Sequence, residues 1–373
     1  MISLYNNFVN TDDLSVGYNN TPLIQDINIH LNKGEILTLI GPNGAGKSTI
    51  LKTITKQLEI IKGKITIADA SVNDMNEKNL AKKMSVVLTE RISPELMTCY
   101  DVVATGRYPY TGRFGILSEH DKEKIKEAVE LVYADDFIYR DFGCISDGQK
   151  QRILLARAIC QEPEIIVLDE PTSFLDIKHK LELLSILKKL VKEKNIAVIM
   201  SLHEIDLAQK ISDYVVCIHN NKIEKYGIPE EIFTTEYIEQ LYEIKKGTYN
   251  AELGCIELPK NTGKPEVFVI GGNGSGINLY RKLQQKGIPF AAGVLHENDI
   301  DYRIAKNLAV EIVSEEAFEE ISDENLRQAE EMAASCKKVY CTLKKFGKIN
   351  QKNKILLEKM LALGIEVCYD IYS

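Results

Sequence analysis

The chain has 373 residues, 45% of them apolar and 27% charged, which excludes disordered and fibrous classes and suggests two or three domains at about 150 residues each. With 46 Lys and Arg against 54 Asp and Glu, the net charge of −8 argues against a nucleic-acid or anionic-lipid binder. No run reaches the ~18 apolar residues of a membrane span, and the opening MISLYNNFVNTDDLSV lacks the basic and apolar regions of a signal peptide, so a cytoplasmic protein is expected. Short β-type runs, INIHL and EILTLIG, come first, and a helix pattern follows the glycine-rich stretch at Ser48. A polar, helix-rich segment covers about 118–142. The strand runs EIIVLDE and IAVIMSLH then flank the helix LELLSILKKLVKEK. Strands alternating with helices predict an α/β fold with a parallel sheet. The eight cysteines form no CxxC pair and read as scattered reduced thiols.

The segment LPKNTGKP, with two prolines and a glycine, reads as a linker at 259–265 between a front domain of residues 1–258 and a back domain of residues 266–373. In the back domain, the strand-like runs EVFVIGG, FAAGVL, AVEIV, KVYCTL and IEVCY alternate with INLYRKLQQKG, DYRIAKNLA, DENLRQAEEMAASC and NKILLEKMLALG, which read as helices. This order predicts a small Rossmann-like sheet. Three loops are expected to meet at the carboxyl ends of its strands: GGNGSG (271–276), HENDID (296–301) and KKFGKIN (344–350). The glycine amides there are candidates for an anion, Glu297 and Asp299 for hydroxyls or a metal, and Lys344 or Lys345 for added positive charge. GGNGSG is not a full dinucleotide fingerprint, because Ile277 falls where its last glycine belongs. A structural or dimerising use of this domain and a ligand-sensing one both remain open.

The strongest motif is GPNGAGKST, Gly41 to Thr49, which is GxxxxGK[ST] between a strand and a helix. Its four fixed positions coincide by chance in roughly 1% of chains of this length, so an accidental glycine turn is a poor explanation. Glycines let backbone N–H groups turn onto phosphates, and the helix adds its positive N-terminal end. Lys47 is placed to reach the β- and γ-phosphates, and the Ser48 hydroxyl to ligate Mg²⁺. The second motif is Ile165 to Glu170, a buried-type strand ending in two carboxylates. Asp169 is placed to hold the Mg²⁺ shell, and Glu170 to orient or deprotonate an attacking water.

The third motif is Ile145-Ser146-Asp147-Gly148-Gln149, opening the helix KQRILLARAIC. With these three motifs together, residues 1–258 resemble the ATP-binding cassette (ABC) ATPases, whose signature LSGGQ stands just before the strand that ends in the two carboxylates. The resemblance implies an α/β P-loop cassette using ATP and Mg²⁺. It implies nucleotide contacts at Tyr18, Gly41, Pro42, Asn43, Gly44, Ala45, Gly46, Lys47, Ser48 and Thr49, with Tyr18 stacking on adenine. Ser146, Gly148 and Gln149 of the signature and Asp176 of PTSFLD serve the nucleotide of a partner cassette. Lys47, Glu170 and His203, the last being the switch histidine of MSLHE, are the implied catalytic residues; Ser48, Asp169 and Glu90 are the implied metal ligands. Glu90 in VVLTE stands where the family places a glutamine. Asp147 replaces the first signature glycine and brings an anion near a triphosphate unless it reaches a cation.

One P-loop and one signature per chain imply a second cassette, a homodimer in the first instance. Three stretches, GRYPYTGRFGILSEHD, EPTSFLDIKHKLELL and SLHEIDLAQKISD, resemble the ATPases of iron-complex, haem and cobalamin importers. Such ATPases grip a membrane permease, here through 101–111, and through it serve a substrate-binding protein at the cytoplasmic face of the membrane; no nucleic acid is involved. The alternative is a soluble ABC-type ATPase module acting on a macromolecule.

Overall fold

The computed structural model describes residues 7–88, 96–112 and 114–369. Packing divides the chain into two units, Met1–Tyr242 and Glu243–Ser373.

The first unit has a six-stranded central sheet. Its strands are β3 (Ile36–Ile40), β5 (Met84–Val87), β6 (Ile165–Leu168), β7 (Ala197–Ser201), β8 (Tyr214–His219) and β9 (Lys222–Gly227), in the spatial order β9-β8-β3-β7-β6-β5. All neighbours run parallel except β9, which closes a hairpin on β8. Every residue of β3, β6 and β7 is buried, as a parallel sheet covered on both faces requires, and this is why these runs read as unbroken apolar stretches. Register aligns their carboxyl ends, with Leu39 opposite Ser201 and Leu168 opposite Met200. Antiparallel strands β1 (Val9–Tyr18), β2 (Thr21–Ile27) and β4 (Lys62–Ile67) share one core with this sheet, through Leu14, Val16, Ile24 and Ile65 packed with Leu37, Leu39 and Val167.

The helices of this unit that bear on the site include α1 (Lys47–Ile54), α2 (Cys99–Ala104), α3 (Glu119–Leu131), α4 (Asp147–Cys160) and α5 (Ile177–Lys194). Capping boxes at Thr98–Asp101, Ser118–Asp121 and Ser146–Gln149 fix where α2, α3 and α4 begin.

The second unit opens with the hairpin β10 (Thr248–Asn250) and β11 (Cys255–Glu257), followed by β12 (Val267–Ile270), β13 (Phe290–His296), β14 (Glu311–Glu315), β15 (Lys338–Cys341) and β16 (Glu366–Cys368). The last five form an all-parallel sheet in the order β14-β13-β12-β15-β16. Helices α6 (Ile277–Gln285) and α7 (Ile300–Leu308) cover one face through Leu279, Tyr280, Leu283, Ile304 and Leu308. Helices α8 (Asp323–Ala334) and α9 (Gln351–Ala362) cover the other through Ala329, Ala333, Leu356 and Met360.

The sequence places the domain boundary after residue 258, whereas packing places it after Tyr242. The difference has a local cause. Glu257 pairs with Arg281 at 3.1 Å and Glu252 with Arg303 at 3.2 Å, so the hairpin is tied to the second unit. The proline-containing segment after it is not a free tether either. Gln284 Nε2 donates to the Leu258 and Pro259 carbonyls at 2.7 and 3.2 Å, and Asn261 Nδ2 donates to the Ile288 carbonyl at 3.1 Å. Among the described residues no helix is long and apolar enough to cross a membrane.

Candidate nucleotide site

The loop between β3 and α1 is shaped by its glycines. Gly41 has φ +145°, and a Cβ there would lie 2.1 Å from the Ile218 carbonyl oxygen; Gly46 has φ +101°, and a Cβ there would meet the Ile24 side chain at 2.5 Å. Both positions need glycine. Gly46 is the N-cap of α1, makes no side-chain cap, and no acidic residue stands in the first turn. The helix therefore presents open amides, which suits an anion. Lys47, 5% exposed, folds back across the loop and donates to the Gly41 and Pro42 carbonyls at 2.7 and 3.0 Å. The Ala45 amide donates to the Pro42 carbonyl at 3.2 Å and closes the turn. Burial pushes the Lys47 ammonium below its usual pKa, opposed by the Glu170 and Asp169 carboxylates.

Asp169 and Glu170 leave the end of β6 directly beside this loop. Ser48 Oγ donates to Asp169 Oδ1 at 3.1 Å, so the hydroxyl and carboxylate expected to share a cation do converge. Ser201, the fully buried last residue of β7, donates from its Oγ to Asp169 Oδ1 at 2.7 Å and accepts from the Glu170 amide at 2.8 Å. One side chain thus fixes the Asp169 carboxylate and the Glu170 backbone. Glu170 sits in the left-handed region at φ +48°, an unfavourable conformation for a side-chain-bearing residue, and this bond helps to hold it there. Its Oε1 lies 2.5 Å from His203 Nε2, and its Oε2 accepts from Ser173 Oγ at 3.2 Å.

Tyr18, Asn43, Gly44, Gly46, Lys47, Ser48, Thr49, Glu170 and His203 line a single cavity of about 450 Å³. Half-exposed Tyr18 anchors its hydroxyl 3.3 Å from Thr49 Oγ1. The cavity thus joins elements spread from residue 18 to residue 203. Open helix amides, a lysine and a hydroxyl–carboxylate pair fit a triphosphate with its divalent cation. Glu90 lies outside the described residues.

The signature residues and Asp176 are not among the residues lining that cavity. Ser146 is the N-cap of α4, accepting from the Gln149 amide at 3.3 Å, while Gln149 Oε1 accepts from the Ser146 amide at 3.0 Å. Asp147 occupies the first helical position, where a negative charge complements the helix dipole, and its Oδ1 is 3.9 Å from Lys150 Nζ. The replacement therefore does reach a cation. Asp176 caps α5, accepting from the His179 amide at 2.9 Å with His179 Nδ1 at 2.8 Å. The His179 amide, and then the ring, hold its carboxyl below the ordinary range. A Cβ on Gly148 would stand 2.8 Å from the same ring, so His179 links the signature turn to Asp176. Ser201 and His179 both fall inside family-like stretches, yet neither has a role that its sequence position signals. A lone serine or histidine gives no signal until the strands align it.

Residues 24–173 match the ABC transporter family, and residues 290–370 match the MJ0874 family. The chain is 46% identical over 286 residues to the ABC transporter ATP-binding protein MJ0873 of Methanocaldococcus jannaschii, covering 76% of this chain and 99% of that one. It is 34% identical to the iron(3+)-hydroxamate import ATP-binding protein FhuC of Bacillus subtilis, over 64% of this chain and 88% of the relative. A solved metal-chelate-type ABC transporter in an inward-facing conformation superposes with a TM-score of 0.56 at 30% identity, over 63% of this chain and 89% of that one. The chain belongs to the ABC transporter ATP-binding family. It is an ATPase, and its nucleotide is ATP with Mg²⁺.

Proposed function

We propose that this chain drives the import of an iron complex or cobalamin as the ATP-hydrolysing subunit of a membrane transporter, peripheral to the cytoplasmic face. The observation that carries this reading is the likeness to an iron(3+)-hydroxamate import subunit across 88% of that protein. In this reading the loop from Gly41 to Thr49 holds the phosphates and Tyr18 faces the base. Lys47 neutralises the terminal phosphates, and Ser48 and Asp169 hold Mg²⁺, which withdraws charge from them, with Glu90 as a further ligand. Glu170 orients the attacking water and takes its proton, and His203 fixes the Glu170 carboxylate while facing the terminal phosphate. The division of labour is a cassette in the first unit and an accessory domain in the second.

Ser146, Gly148, Gln149 and Asp176 stand apart from the cavity of their own chain, so each cavity is completed by the signature of a second copy. The Gly148 amide at the start of α4 then faces the partner's terminal phosphate. The E170Q variant with Mg-ATP is expected to run as a dimer by light scattering, and the parent as a monomer without nucleotide. A monomer under both conditions, with or without the permease, counts against the head-to-tail pairing.

Ser201→Ala is expected to lower kcat about tenfold and to raise the Mg²⁺ concentration needed for half-maximal rate, with the KM for ATP little changed at saturating Mg²⁺. The reason is that the Glu170 amide loses its acceptor and Asp169 one of its two hydroxyl donors. An unchanged Mg²⁺ dependence would show that Ser201 only packs.

The transport reading is tested by co-purifying the chain with its permease and reconstituting both in vesicles. ATP-dependent accumulation of a ferric hydroxamate or of cobalamin is expected. Purification without any membrane protein, and hydrolysis stimulated instead by a soluble macromolecule, would replace it with the soluble-module reading.

A further inference from the structure

The second unit contains a cavity of about 450 Å³ at the carboxyl ends of its parallel strands. It lies between the loops after β12 and β15, the two strands between which the strand order reverses. Open α/β sheets bind ligands at such a point, and the volume falls in the range of small-molecule sites.

The glycine loop 271–276 forms one wall, but the amides of Gly272, Asn273, Ser275 and Gly276 are already used. Fully buried Asp301 accepts from the Gly276 amide at 3.2 and 3.1 Å, and the Gly272 and Ile277 amides also point to it. Asp299 Oδ2 accepts from the Asn273 amide at 2.7 Å. A pyrophosphate on this loop would meet two carboxylates in place of free donors. The sequence expectation of an anion on the glycine amides is therefore corrected: the chain supplies that anion itself.

The opposite wall has the reverse character. Lys344 and Lys345 are exposed at its rim, and neither is ion-paired among the described residues. Ser275 Oγ and Thr342 Oγ1 lie 2.7 Å apart across the floor. His296, 7% exposed, lines the cavity with its Nε2 on the Glu319 carbonyl at 2.9 Å, which leaves Nδ1 as its second polar atom. Two adjacent cations with no carboxylate partner suit a dianion. The hydroxyls and the imidazole supply further polar contacts, and Asp299 on the far wall can accept from a hydroxyl but repels a second phosphate.

We propose that this cavity binds a phosphate monoester of a small hydroxylated molecule, with the phosphate at Lys344 and Lys345. The test is calorimetric titration of the full chain with ribose 5-phosphate, AMP, inorganic phosphate and NAD⁺. It is run on the parent, on K47A, which disables the cassette's phosphate loop, and on K344E/K345E. Ribose 5-phosphate or AMP is expected to bind the parent and K47A alike and to bind K344E/K345E at least about tenfold more weakly. Binding of AMP alone identifies a nucleotide, and binding of both identifies the shared ribose phosphate; either supports the site. Unchanged melting temperature and ATP binding in K344E/K345E confirm that the variant is folded. The proposal is overturned if K47A abolishes the binding, if the double variant retains it, or if neither ester binds. It also fails if inorganic phosphate alone binds, or if NAD⁺ binds regardless of the two lysines.

Discussion

The E170Q variant is expected to bind ATP as the parent does and to hydrolyse it at least 100-fold more slowly. Glutamine keeps the size of the side chain, so the left-handed backbone at φ +48° and the amide bond to Ser201 are undisturbed. What it loses is the carboxylate's capacity to take a proton, which is worth about 10²–10⁴ in rate when the base is well placed. The two carboxylates of this strand end have separate tasks. Asp169 is engaged by Ser48 and Ser201, at 3.1 and 2.7 Å. Glu170 instead lines the cavity with His203, 2.5 Å away. Single-turnover hydrolysis of radiolabelled ATP with the permease present, alongside equilibrium nucleotide binding, separates the two properties. Turnover at the parent rate would remove Glu170 from the role of base. Weakened binding with an equal loss of rate would make it a binding residue.

The two glycine-rich loops of this chain show what was and was not legible in the sequence. Each follows a buried strand and opens a helix, and each reads as an anion cradle. At the first, GPNGAGKS, the helix start is left open: α1 has no side-chain cap and no acid in its first turn, and Lys47 comes from the loop itself. Every determinant is local, so a short stretch of sequence contains it. At the second, GGNGSG, the loop shape was legible but its occupant was not. Asp301 comes from the start of α7 and reaches the amides only because β12 and β13 are adjacent in the sheet. The same limit explains the domain boundary. LPKNTGKP has the composition of a linker, yet its backbone carbonyls are taken by Gln284 from α6. Alternation of strands and helices in the second unit was legible because each apolar run and amphipathic stretch carries its own period. By contrast, β1 has polar residues at buried positions, Thr11 and Ser15, and gave no clear run.

Arg107 is the clearest case of a residue whose type misleads, and its replacement has the largest expected effect on stability. Arginine is a residue type that is mostly exposed, but here the side chain is 1% exposed. Nε donates to Asp121 Oδ1 and one terminal nitrogen to Glu162 Oε2, both at 2.8 Å, and that nitrogen also meets the Cys160 carbonyl at 2.5 Å. Arg107 thereby fastens the loop after α2 to the N-terminus of α3 and to the C-terminus of α4, the signature helix. Gly106 is packed so closely on α4 that a Cβ would lie 2.2 Å from the Arg157 carbonyl oxygen. Arg107→Leu leaves the buried Asp121 without its cation and is expected to destabilise the first unit by about 3–5 kcal/mol, the range for breaking a buried pair from one side. R107L/D121N should recover part of this, because the uncompensated charge is removed.

The acid side gives an independent check. The Ser118 hydroxyl and amide, together with Arg107, hold Asp121 at about 2 against the opposing effect of burial. A folded pKa below the ordinary 3.8 contributes stability that is present above that value and is lost as pH falls through about 2. The contribution is of order 2 kcal/mol. In Arg107→Leu one source of the depression is gone while burial remains, so Asp121 protonates at higher pH and the variant loses less on acidification. The stability gap between parent and variant is therefore expected to be widest near neutral pH and to narrow towards pH ~3. Hydrogen exchange of the α3 amides at both pH values measures it, and a gap independent of pH would mean that Arg107 acts by packing rather than by charge.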